Sequence, residues 1–333
     1  MRSIVALFAF AVVCLGQSDP KDTVSQDAAS SQTGALKDNT PFRADSTLVL
    51  VPVSVTDPSN RYVLGLEKDD FTLFEDGVEQ KVTHFASEDA PLSIGLLVDT
   101  SGSMGAKLDT SRRAVQEFLK TLNAADEAFL VEFSDEAQLS VPLTRDPASI
   151  ESAMDSASSG GLTALLDAVH MGLQEMKRAR NPRKALLIIS DGGDNNSRYK
   201  SSQIESLVRE ADVQIYAMGV FEPTLSFGLG GIGLSSGANG TKLAPAELDG
   251  PRLLSEISNQ TGGRALAAGN LRDLPGIAER IGIELRNQYV LAYSPKNVSR
   301  DGKYRKIEVK LQQPKALPEL KPRWRLGYYA PSE

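Results

Sequence analysis

Hydrophobic positions divide the chain into stretches of different character. Residues 4–15 are a nearly unbroken apolar run, and residues 17–43 are rich in Ser, Asp, Gln, Thr and Ala with few large apolar groups. From residue 46 onward, short apolar stretches alternate with polar ones. In residues 46–90 the pattern predicts short strands. Leu48, Leu50 and Val53 lie in a β-prone run that ends at the turn cluster Thr56-Asp57-Pro58. Residues 71–74 and 78–85 flank Glu75-Asp76-Gly77, and Asp-Gly between β-prone runs is a strong hairpin signal.

At Leu92 the pattern changes to strand, helix, strand. Residues 93–98 and 185–189 are continuous apolar runs, as expected for parallel strands buried on both faces. Ala114, Val115, Phe118, Leu119 and Leu122 recur at helical spacing within 107–122. Strands are expected at 128–133 and 138–143, an amphipathic helix at 165–176, a helix at 201–211, a strand at 213–220, and helices at 253–260 and 271–285. Such alternation predicts a doubly wound, Rossmann-like α/β domain with a mostly parallel sheet over residues 91–286. After Arg286 the β pattern returns, with 289–293, 306–311 and 324–329 reading as strands. The β segments at 44–90 and 287–333 are each short for an independent sheet, so they are expected to pair into one small β-sandwich flanking the α/β domain.

Composition and charge narrow the functional classes. The 333-residue chain is 41% hydrophobic and 24% charged, with a formal net charge of −7. A net acidic chain suits nucleic acid poorly, because phosphate neutralisation needs clustered Lys and Arg. Arg2, the apolar run 4–15 and the small or polar residues Gly16, Gln17 and Ser18 predict a signal peptide over residues 1–16, followed by a linker over 17–43. The run is shorter than the roughly 20 residues a membrane helix needs, and no later stretch is longer. Cleavage would remove Cys14, the only cysteine, leaving no disulfide and no thiol chemistry. A bacterial envelope protein, periplasmic or extracellular, is the expectation. A second reading makes Cys14 a lipidated anchor, although Ala11-Val12-Val13 fits that pattern poorly.

Candidate chemistry lies where ligands bind open α/β sheets, beyond the carboxyl ends of the strands. The first parallel strand runs into Asp99-Thr100-Ser101-Gly102-Ser103, a later loop reads Gly160-Gly161-Leu162-Thr163-Ala164-Leu165, and a buried strand ends at Ser190-Asp191-Gly192. Carboxylates and hydroxyls are hard donors suited to Mg2+, with Ca2+ or Mn2+ also possible, whereas zinc and copper prefer thiolate and imidazole. Asp99, Ser101 and Ser103 alternate, so their side chains can converge as the chain curls out of the strand. With only two carboxylates, Asp99 and Asp191, the ion would stay electrophilic and keep a position for a partner's Asp or Glu carboxylate. A competing reading treats these residues as helix caps. That reading does not account for Thr163 in its Gly-Gly loop.

Together, Asp-x-Ser-x-Ser, the distant Thr163 and the Asp-Gly after a buried strand resemble the metal-ion-dependent adhesion site of von Willebrand factor type A domains, over roughly residues 92–286. The resemblance implies metal ligation by Asp99, Ser101, Ser103, Thr163 and Asp191. It implies direct contact from the first three, and from Thr163 and Asp191 contact that alternates between direct and water-mediated. Residues 71–85, Gln288-Tyr289-Val290-Leu291-Ala292-Tyr293-Ser294-Pro295 and Gly327-Tyr328-Tyr329 resemble an exported bacterial subgroup known mainly from Acidobacteria.

The expected function is metal-dependent binding of a protein partner, or adhesion. Alternatives are a scaffold in envelope assembly with a structural metal, and a metal-assisted hydrolase. The last is disfavoured by the lack of a His-Glu-x-x-His motif and of a Gly-x-Ser-x-Gly elbow at Ser103. Gly228 to Gly233 fits a dinucleotide glycine pattern, but the wrong context makes residues 227–240 a loop. Asp194 reads as a solvated loop residue, His170 as a packed or surface histidine, and His84 as unpaired.

Overall fold

The structure is a computed structural model that describes residues 48–87, 89–220, 245–312 and 319–332. The expected signal segment, linker and glycine-rich 227–240 loop lie outside the described residues. A six-stranded sheet forms the centre of the α/β part. Its strands are β5 (Leu92–Asp99), β6 (Glu127–Phe133), β7 (Ala137–Thr144), β8 (Arg183–Ser190), β9 (Gln214–Gly219) and β10 (Ala265–Ala267), in the order β10-β9-β8-β5-β6-β7. All pairings are parallel except β6 with β7. Every residue of β5 is buried, which explains why its sequence is continuously apolar rather than alternating.

Helices cover both faces, as the doubly wound reading expects. Helices α1 (Leu108–Leu119), α2 (Pro147–Ser156) and α6 (Leu274–Arg286) pack on one face through Phe118, Met154 and Ile281, against Leu96 and Leu187. Helices α3 (Leu165–Met176), α4 (Ser201–Glu210) and α5 (Pro245–Gln260) cover the other, where Val169, Ile204 and Ile257 meet Leu97, Phe129 and Ile188. Helix α2 falls in a stretch for which the sequence suggests no element. It buries only Ile150 and Met154, and starts at Pro147 with the Asp146 side chain accepting from the Ala148 N–H. Helix α5 begins eight residues earlier than expected, at Pro245 rather than Leu253, and contains Pro251.

The flanking β segments pair with each other. Strand β1 (Val49–Thr56) lies antiparallel to β11 (Tyr289–Tyr293), and with β4 (Val82–Ala86) and β13 (Lys321–Trp324) they form the sheet β13-β1-β11-β4. Strand β2 (Phe71–Glu75) pairs with β12 (Tyr304–Leu311), and with β3 (Val78–Gln80) and β14 (Gly327–Tyr329) they form the sheet β14-β12-β2-β3. Val51, Val53, Leu291 and Tyr293 from the first sheet share one core with Leu73, Ile307 and Val309 from the second. Two runs that read as single strands are broken at corners. Residues 78–85 divide into β3 (Val78–Gln80) and β4 (Val82–Ala86), and 324–329 into β13 (Lys321–Trp324) and β14 (Gly327–Tyr329), with each half in a different sheet.

A buried polar network ties the β segments to the α/β layers. Glu284 of α6, fully buried, pairs with Arg264 at 2.6 Å. Its carboxylate also accepts from the Tyr62 hydroxyl at 2.9 Å and from the Tyr216 hydroxyl at 3.2 Å. Gln288 donates to Tyr216 and to Ser54 of β1. Burial, reinforced by the charge of Glu284, holds both tyrosine hydroxyls well above their usual pKa, so they remain donors at ordinary pH. Removing one partner of such a pair strands a buried charge. Glu284→Leu should therefore cost about 3–5 kcal/mol, read as a lower midpoint in urea unfolding. An unchanged midpoint would show that the network does not hold the layers together.

Candidate functional site

The sheet order creates a switch point between β5 and β8. From β5 the chain crosses to β6 on one side, and from β8 to β9 on the other, so the loops leaving the two carboxyl ends diverge and open a crevice. Asp99 closes β5 and Asp191 follows Ser190, the last residue of β8.

Asp99 is completely buried. One of its oxygens accepts from the Ser101 N–H at 2.9 Å and the other from the Ser190 hydroxyl at 2.6 Å. Ser190 in turn accepts from the Gly192 N–H at 2.9 Å, so the ends of β5 and β8 are joined through a single hydroxyl. Ser101 and Ser103 have their Oγ atoms 3.1 Å apart, the first buried and the second exposed. Asp191 is half-buried, and the Lys107 ammonium lies 3.1 Å from its Oδ2.

Thr163 is buried on the neighbouring loop. Its N–H donates to Asn195 Oδ1 at 2.9 Å, and its carbonyl accepts from the N–H groups of Asn195 and Asn196, which fastens it to the loop after Asp191. The same loop is bound to the Asp99 loop, because the Gly102 N–H donates to Gly161 O at 3.0 Å and the Gly160 N–H to Thr100 O at 2.8 Å. Three loops are thereby tied into one rim. The structure joins Asp99, Ser101 and Ser103 by side-chain contacts, places Asp191 close enough for its charge to act on Asp99, and ties in Thr163 through its backbone.

Glycine is required where Gly192 turns with φ +84°. A Cβ there would come within 2.7 Å of the Gly250 backbone, so the Asp191 loop rests backbone to backbone on α5.

Helix capping does not account for these groups. No side chain caps α1, whose N-cap is Lys107, and Asp191 points to that lysine. Asp194 is the carboxylate that serves a helix, accepting from the Leu166 N–H at 3.3 Å and from the Ser197 hydroxyl at 2.5 Å, so it is not simply a solvated loop residue. His170 stacks on Tyr199 with ring centres 4.2 Å apart, and His84 contacts the Thr83 hydroxyl at 3.2 Å rather than standing alone. Ser190, Lys107 and Asn195 join the site beyond the residues that the sequence pattern singles out. Ser190 could have been taken from its place beside Asp191 at a strand end. Nothing in the sequence connects Lys107 to an aspartate 84 positions away.

The two carboxylates and the Ser101 and Ser103 hydroxyls, with Thr163 on the adjoining loop, are hard oxygen groups of the kind that would fit a hard divalent cation. Among the described residues no cluster of three or more Asp, Glu, His or Cys offers a more highly charged metal site. Burial pushes the Asp99 carboxyl up to about 6. Hydrogen bonds from Ser101 and Ser190 oppose that rise, and the charge of Asp191 adds to it. A cation here would relieve that repulsion.

Residues 94–193 match the family profile of the von Willebrand factor type A domain. An uncharacterized protein of Borreliella burgdorferi is 26% identical over 198 residues, covering 56% of this chain and 55% of that protein. Mouse inter alpha-trypsin inhibitor, heavy chain 4, is 30% identical over 148 residues, covering 39% of this chain and 16% of that protein. The chain thus spans about half the first relative and a sixth of the second. A solved von Willebrand factor type A protein from Catenulispora acidiphila is 11% identical with a TM-score of 0.48, over 86% of this chain and 75% of that one. The doubly wound α/β part is a von Willebrand factor type A-like fold with antiparallel sheets added to it.

The raised pKa of Asp99 has a definite sign. Because its folded value lies above that of a free aspartate, protonated Asp99 favours the fold below about pH 4, and that contribution is lost as pH rises through about 6. A rise from about 4 to about 6 corresponds to about 3 kcal/mol. In chelator, Asp99→Asn should gain melting temperature relative to wild type as pH rises from 4 to 7. A difference that does not change with pH would contradict this.

Proposed function

We propose that the chain is a non-catalytic binding or adhesion module that takes a protein partner through a divalent cation. Asp99, Ser101 and Ser103 would hold the ion, with Thr163 and Asp191 completing its surroundings, and Mg2+ is the first choice over Ca2+ and Mn2+. The cation supplies an electrophilic position for a partner's Asp or Glu carboxylate. The observation that carries this reading is the meeting of buried Asp99, the Ser101–Ser103 hydroxyl pair and Asp191 at one switch point.

Recognition is favoured over hydrolysis because, among the described residues, the two carboxylates placed with these hydroxyls are already committed: Asp99 accepts two hydrogen bonds and Asp191 pairs with Lys107. The rim also offers Leu162, an exposed leucine beside Thr163, as an apolar contact for a partner. No helix among the described residues is long and apolar enough to cross a membrane. Export to a bacterial envelope, with the partner on that side, is part of the same proposal.

The test uses the folded protein with and without Asp99. Mg2+ should raise the melting temperature by several degrees, and capture of a partner from envelope extract should vanish in chelator. Asp99→Ala, folded as judged by circular dichroism, should lose both effects. Partner capture that persists in chelator would refute metal-dependent binding.

A further inference from the structure

Lys107 is a lysine in an unfavourable place. It is the N-cap of α1, where the positive end of the helix dipole disfavours a cation. Its backbone is fixed there, since its N–H donates to Met104 O and its carbonyl accepts from the N–H groups of Thr110 and Ser111. The residue is only 8% exposed, and lysine is seldom buried unless paired. The compensation is Asp191, whose carboxylate lies 3.1 Å from the ammonium and is itself largely shielded from water. The ammonium therefore stands on a carboxylate assigned above to the cation site.

We propose that Lys107 is a built-in competitor for the divalent cation, neutralising Asp191 when the site lacks metal and setting how tightly metal is held. The inference rests on the metal-binding reading above and concerns the regulation of that same site. With a dication beside Asp191, the ammonium faces like charge and its pairing with the carboxylate weakens. Its four-carbon stem lets the head move outward, and the neighbouring residues Gly105 and Ala106 are exposed. Cation binding is then an exchange of one positive charge for another at Asp191. The lysine lowers affinity for the metal while keeping the metal-free loops from repelling each other. Such a device makes occupancy sensitive to the ambient cation concentration, as suits a site that also has to await a partner's carboxylate.

The experiment is a calorimetric titration of Mg2+ alone into the wild-type chain, Lys107→Met and Lys107→Gln, with melting temperatures in chelator and at saturating Mg2+. Both variants should bind Mg2+ on the order of tenfold more tightly than wild type. Both should melt lower than wild type in chelator, with the gap closing at saturating Mg2+. Lys107→Gln retains a hydrogen-bond donor for Asp191 and covers the case in which Lys107→Met does not fold. Affinity that is unchanged or weaker in the folded variants overturns the competition while leaving the metal site standing. Failure of all three proteins to bind Mg2+, Mn2+ or Ca2+ would overturn the metal-binding reading and this inference together.

Discussion

A carboxylate buried at the end of the central strand is the constraint around which this site is arranged. Asp99 has no contact with solvent, and an ionised group there needs donors on each oxygen. The protein supplies them from two directions, the Ser101 backbone on its own loop and the Ser190 hydroxyl on the neighbouring strand. The carboxylate thereby becomes a joint between β5 and β8, and the loops leaving both strands take their starting geometry from it. Its pKa, pushed up to about 6 by burial, records that the joint is only partly compensated. A positive charge at the crevice would complete it.

The rest of the molecule keeps that crevice in place. The rim is backbone-bonded, with Gly102 on Gly161 and Asn195 on Thr163, so the site loops share one framework rather than moving independently. Gly192 leans on Gly250, which couples the Asp191 loop to α5. Far from the crevice, the Glu284 network holds α6 and β9 to Tyr62 and β1, so the antiparallel sheets are locked to the same body. The β segments thus give the α/β part a polar, hydrogen-bonded seat on the side away from the carboxyl ends of its strands.

Much of this is legible in the sequence wherever burial imposes a pattern. Strands β5 and β8 show as unbroken apolar runs because helices cover both faces, and the Asp99 and Asp191 loops follow them directly. The α1 and α3 stripes are equally plain, since each buries a wide apolar face. What escapes has a physical reason. Helix α2 buries only two side chains, so its apolar period is faint. The breaks at Lys81 and between Trp324 and Gly327 are corners where one β-prone run feeds two sheets, and composition does not change there. Lys107 is hidden because its pairing with Asp191 is made by the fold, not by spacing.

Cation binding at the Asp99 crevice is read by anomalous scattering from crystals soaked in Mn2+, measured at the manganese edge. If the crevice holds the ion, a single strong peak should lie bordered by Asp99, Ser101 and Ser103, and it should be absent in Asp99→Ala. No peak in wild-type crystals, or one only at another place on the molecule, would contradict it.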